Sequence, residues 1–126
     1  MFEQDYIMRL IKEMVRAVLK MLLGIDTQNP SIEMLETQES QQVVGKLMDL
    51  VDEGRICEAE NQIYEIMEEE GQDGLGIAMM FYSYLNDKSD QFLQDHNFSR
   101  DEIVSGLKDA LSGCGMGALA ETFLQG

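Results

Sequence analysis

FEQDYIMRLIKEMVRAVLKMLLG, running from Phe2 to Gly24, holds one long amphipathic helix over Glu3–Leu23, and the fold follows from it. Its apolar seam is Ile7, Ile11, Met14, Val18, Met21 and Ile25, a 4-3-4-3-4 spacing that keeps one helical face apolar. Leu10, Val15 and Leu22 flank that seam, and Met8, Leu19 and Leu23 widen it. At about 100° per residue the apolar arc covers well over half the circumference, whereas a surface helix needs an arc of only about 100°. The excess predicts packing on two sides, with the helix's own domain on one and a second body on the other. Arg9, Lys12, Arg16 and Lys20 form a basic stripe almost opposite the seam centre, and Gly24 marks the stop.

Charge sets this helix apart from the rest. Residues 1–25 hold four basic and three acidic side chains, a balance of +1, while residues 26–126 hold five basic and 21 acidic, a balance of −16. Such asymmetry points to a partner, a membrane surface or the acidic body itself, and the basic stripe also reads as a plain solvated face. The total charge of −15 argues against nucleic acid, whose phosphates it would repel. With 126 residues, 44% apolar and 26% charged, the chain is expected to be one soluble domain, cytoplasmic, comprising helix 1–25 and an acidic helical body 26–126. The basic residues of the first helix interrupt any secretory signal, and no uncharged apolar run is long enough to cross a bilayer.

One Pro, ten Met and no Trp, with no alternating β-branched run, predict an all-α bundle of five to seven helices. Asn29 and Pro30 read as a helix start, with a short helix over 31–38. Gln41–Asp52 and Arg55–Glu70 read as antiparallel neighbours across Gly54. Gly71–Gly74 reads as a break before Leu75–Leu85, a stretch apolar almost all round and so the expected central helix. Ser89 caps a short helix through Gln94. Ser99 and Glu102 form a capping box, with Phe98 and Ile103 as its hydrophobic staple. Leu119–Leu124 reads as a last short helix or ordered tail.

The stretch LVDEGRICEAENQIYEI (Leu50 to Ile66) resembles the turn and second helix of a tetratricopeptide repeat, with Gly54 in the turn, Ala59 at the close-approach position and Ile63 one turn on. The remaining signature positions and a second copy are missing. FEQDYIMRLIKEMVR (Phe2 to Arg16) and FSRDEIVSGLKD (Phe98 to Asp109) are similar to the two ends of an uncharacterised family of small acidic bacterial proteins, a domain of unknown function. That resemblance implies a helical bacterial protein with no assigned activity and supplies no functional residues.

No catalytic, cofactor or metal constellation emerges. His96, beside Asp95 and near Asp90, lacks two further ligands at metal spacing and reads as a surface or capping residue. Cys57 and Cys114 show no metal or redox spacing and read as reduced thiols in or beside the core. Asn86-Asp87-Lys88-Ser89-Asp90 has oxygens but not the glycine and glutamate positions of a calcium loop. Gly113, Gly115 and Gly117 follow a helix, which contradicts a dinucleotide loop. Glu68, Glu69 and Glu70 close a helix where its dipole disfavours acids, giving a solvated end that frays readily or meets cations. Tyr64, Phe81, Tyr82 and Tyr84 fall on helices expected to be buried, as core or as the wall of a ligand pocket.

The expected function is therefore non-enzymatic, without a cofactor: a protein-interaction module, homodimeric through the first helix. Ile7, Ile11, Met14, Val18 and Met21 would be buried between copies, with Arg9, Lys12, Arg16 and Lys20 pairing with the acidic body. Two other readings stay open. One is a peripheral membrane binder using the basic amphipathic helix 3–23. The other is a small-molecule-binding helical domain with a pocket near Phe81, Tyr82 and Tyr84.

Overall fold

The computed structural model describes residues 2–27, 29–35, 37–119 and 121, without the side chains of residues 2–4, 72 and 73. The described residues are helical and contain no strand. Their helices are α1 (Phe2–Leu23), α2 (Gln38–Asp52), α3 (Ile56–Glu70), α4 (Gln72–Asn86), α5 (Asp90–Asp95) and α6 (Arg100–Gly113), with a 3-10 turn at Ile32–Met34. This is an all-α bundle. Residues 117–119 are also helical, whereas residues 122–124 of the expected final helix lie outside the described ones.

Local chemistry explains the boundaries. Gly24 ends α1 with φ +70°, a conformation that a β-carbon disfavours. Thr37 caps α2 by accepting the Ser40 amide, so this helix begins earlier than its apolar periodicity suggested. Asn29 and Pro30 do not start a helix. The Asn29 amide instead donates to Thr27 Oγ1, and the 3-10 turn begins after Ser31. Ser89 accepts the Phe92 amide at 3.0 Å. At α6, Ser99 Oγ accepts the Glu102 amide and Glu102 accepts the Ser99 amide, the reciprocal pair expected there.

The break expected over Gly71–Gly74 shrinks to one residue. Gly71 alone turns the chain, and α4 is already under way at Gln72. Gly74 serves close packing: a β-carbon there would stand 3.0 Å from Ile66 Cγ2 and 3.1 Å from the Ile66 carbonyl oxygen. The turn between α2 and α3 spans Glu53-Gly54-Arg55, which makes these helices antiparallel neighbours.

As expected, α4 is the central helix. It touches α1, α2, α3 and α6, and Leu75, Ile77, Ala78, Met79, Met80, Phe81, Tyr82 and Leu85 are all buried. Helix α1 packs on both α4 and α6. Most of its wide apolar arc is thus covered within the protomer: Ile11, Met14, Val15, Val18 and Leu19 are core, Ile7, Leu10, Leu22 and Leu23 pack half-buried around them, and Met21 and Ile25 stay exposed. The two-sided packing is real, but both sides belong to the same chain.

Candidate functional site

The expected interface set divides. Ile11, Met14 and Val18 are fully buried in their own protomer and so cannot meet a second copy without unfolding it. Ile7 is half-buried against the core. Met21 stays open, 64% exposed, and Tyr6, which the seam did not include, is 60% exposed. Leu10 and Ala17, both half-buried, lie between them. Tyr6, Leu10, Ala17 and Met21 follow a 4-7-4 spacing along one edge of α1, which the exposed Glu13 shares.

Arg9, Lys12 and Lys20 are exposed beside that edge. Arg16 reaches the loop after α1: its Nε donates to Asp26 Oδ1 at 2.5 Å, and Lys20 Nζ stands 4.0 Å from Asp26 Oδ2. The hydrogen bond from Arg16 holds the Asp26 carboxyl below its usual range. Arg9 and Lys12 form no ion pair with any described residue.

The aromatic cluster is not a pocket. Phe81 and Tyr82 are fully buried with ring centroids 4.9 Å apart, in edge-to-face contact. Tyr84 donates to Asp52 Oδ1 at 2.7 Å, and Lys88 Nζ donates to the same oxygen at 2.6 Å. Tyr64, expected in the core, is instead exposed on α3. Phe81 and Tyr82 are thus closed to solvent, and Tyr84 is half-buried over the Asp52–Lys88 pair.

Tyr82 Oη donates to Glu60 at 2.9 Å. Burial raises the Glu60 carboxyl above its ordinary value of 4.5, and the Tyr82 hydrogen bond pulls the other way. The folded state thus holds this proton more tightly than the unfolded chain. Its contribution to stability is complete below 4.5 and is lost as pH rises through the raised value. Asp52 has the opposite sign, because the hydrogen bond from Lys88 lowers its carboxyl. Subtraction isolates Glu60. Glu60→Gln should have a higher urea midpoint than wild type at pH 7, with the difference shrinking toward zero below pH 4. A constant difference across that range would rule out the titration.

His96 packs against Phe92 in a tilted contact, ring centroids 4.5 Å apart, and leans over Gly54. Among the described residues no three His, Cys, Asp or Glu side chains converge as metal ligands. The oxygens of the Asn86–Asp90 loop are turned toward Arg100 instead. This residue directly follows the Ser99 cap, and sequence reasoning passed over it. Arg100 is 2% exposed. Its Nε donates to Asn86 Oδ1 at 3.2 Å, its Nη2 to the carbonyls of Asn86 at 2.9 Å and Lys88 at 2.6 Å, and its Nη1 to Asp90. Asn86 in turn donates to the Met8 carbonyl at 3.1 Å. One guanidinium thus joins the end of α4 to the starts of α5 and α6, and Asn86 carries the link to α1.

A cavity of about 500 Å³ opens at the other end of α1. Leu22 and Leu23, Leu35, Val43, Ile66 and Ile77 form its apolar wall, and Thr37, Glu39, Ser40 and Glu70 its polar one. Residues from four helices and the segment after the 3-10 turn meet there, a juxtaposition that no local pattern announces.

The family model described as "Family of unknown function (DUF6483)" matches residues 1–114. The chain belongs to that family. The match runs from α1 to Cys114, the residue that caps α6, so the family unit comprises the whole bundle, the Arg100 junction and the cavity. Neither curated proteins nor solved structures yield a match.

Proposed function

We propose that this protein is a non-enzymatic interaction module that docks a second copy of itself through the outer edge of α1. The supporting observation is one helix edge carrying Tyr6 and Met21, both well exposed, beside Arg9 and Lys12, which form no ion pair with described residues. On a chain of net charge −15, that edge is complementary to the acidic remainder of another copy. The reading keeps helix one as the interface but shifts it from the seam to the flank. It extends to a cytoplasmic, bacterial protein with a tetratricopeptide-like α2–α3 hairpin, supported by the two sequence resemblances and by two free thiols.

The choice of substitution matters. Ile11→Asp or Val18→Asp would test the core, because both residues are buried. Tyr6→Asp with Met21→Asp places charge only on exposed positions. In analytical ultracentrifugation the double variant should stay folded and weaken self-association by about tenfold or more, about 1.4 kcal/mol. Arg9→Glu with Lys12→Glu should act in the same direction. A monomeric wild type would end the homodimer reading.

The same basic edge supports a second reading, adsorption to an anionic membrane surface. No described helix is long and apolar enough to cross a membrane. Flotation of the wild type with phosphatidylserine vesicles at low salt, without self-association, would favour the surface reading over the dimer.

A further inference from the structure

We infer that the cavity bounded by the end of α1, the start of α2, the end of α3 and the start of α4 binds a small amphiphilic cation, a primary amine carrying a short alkyl or aryl chain. Its volume, about 500 Å³, lies within the range of small-molecule sites, about 300–1,000 Å³. The apolar wall from Leu22, Leu35, Val43, Ile66 and Ile77 suits a hydrocarbon tail. The lining contains the carboxylates Glu39 and Glu70 and no Lys, Arg or His, so the charge it favours is positive.

Glu70 is the last residue of α3, and Glu68 and Glu69 precede it, so carboxylates crowd this side of the cavity. A bound ammonium would offset this unfavourable run. Thr37 Oγ1 donates to Ser40 Oγ at 2.9 Å and accepts the Ser40 amide, and the carboxylates are the charged acceptors for an incoming N–H. Gly76 keeps the apolar wall open: a β-carbon there would already lie 3.4 Å from Leu35 Cδ2, so a longer side chain would occupy the space.

The test is titration of the full chain with hexylammonium, using hexanoate and hexanol as charge controls, followed by amide chemical shifts. The expected result is saturable shifts confined to the cavity lining with hexylammonium and none with hexanoate. Glu39→Gln with Glu70→Gln should weaken binding by about tenfold or more, and Gly76→Met should abolish it. Both carboxylates are exposed, so the double variant should fold. Equal binding of hexanol or hexanoate, unchanged affinity in the double variant, or no saturable shift would overturn the assignment. Because the α1 edge lies outside the lining, this result and the association measurement fail independently.

Discussion

Arg100→Met will cost about 3–5 kcal/mol of folding stability, because it strips the donor from three acceptors at about 1–3 kcal/mol each. The side chain is nearly inaccessible to water, and its donors satisfy Asn86 Oδ1 and the carbonyls of Asn86 and Lys88. The Asn86 carbonyl belongs to the last turn of α4, so it has no partner within that helix. Methionine fills similar volume but leaves these acceptors without a donor, and each buried orphan costs about 1–3 kcal/mol. Against a total of about 5–15 kcal/mol for a domain, such a loss lowers the melting temperature by roughly 10–20 °C. The partners should respond unequally. Asp90 has a side chain 67% exposed and stays hydrated when its partner leaves, so Asp90→Asn should have a small effect. Arg100→Lys keeps the charge but not the planar fork, and should fall between them. Urea denaturation of the three variants gives the order. Arg100→Met within about 0.5 kcal/mol of wild type would show the junction to be dispensable.

Helix one was legible in its limits and misleading in its consequences. Its seam residues Ile11, Met14 and Val18 were identifiable as buried because helical periodicity depends only on spacing. Whose helix covers them does not. An arc wider than one packing surface describes equally a helix between two copies and a helix resting on both α4 and α6 of its own chain. The caps at Ser89 and Ser99 were readable, whereas Thr37, also three residues from the amide it caps, went unread because no apolar periodicity begins beside it. The glycines of α4 were not: a glycine that breaks a helix and one that lets another backbone approach are identical in one dimension. Gly74 is of the second kind, with Ile66 against it. Arg100 follows the same logic. Its neighbours in sequence form a capping box, but its acceptors lie on the Asn86–Asp90 loop and become a cluster only once α4 and α6 pack. The cavity is harder still, because its wall is drawn from Leu22 to Ile77 and exists only where those segments converge.

Gly106→Ala should destabilise the bundle although it adds only a methyl group. Gly106 lies inside α6, where alanine would ordinarily be better by about 1 kcal/mol. Here its β-carbon would stand 2.5 Å from Tyr82 Cζ and 2.8 Å from Cε1, closer than such atoms approach, with Tyr82 Oη closer still. The ring cannot swing away, because Tyr82 is fully buried, packs against Phe81 and hydrogen-bonds Glu60. Relief requires α6 to move off α4, disturbing Ile103, Leu107, Ala110 and Leu111, which pack in the same core. Overpacking of this kind costs about 1–3 kcal/mol, and displacement of the Tyr82 hydroxyl adds about 1 kcal/mol for the lost hydrogen bond. After the propensity gain, a net loss of about 1–3 kcal/mol is expected in urea denaturation. Tyr82→Phe separates the two parts. It removes the hydroxyl but leaves Cζ and Cε1 in the path of the β-carbon. The double variant Gly106→Ala, Tyr82→Phe should therefore remain less stable than Tyr82→Phe alone. If the second substitution restored full stability, the conflict would lie with the hydroxyl alone and the ring would be free to accommodate a methyl group.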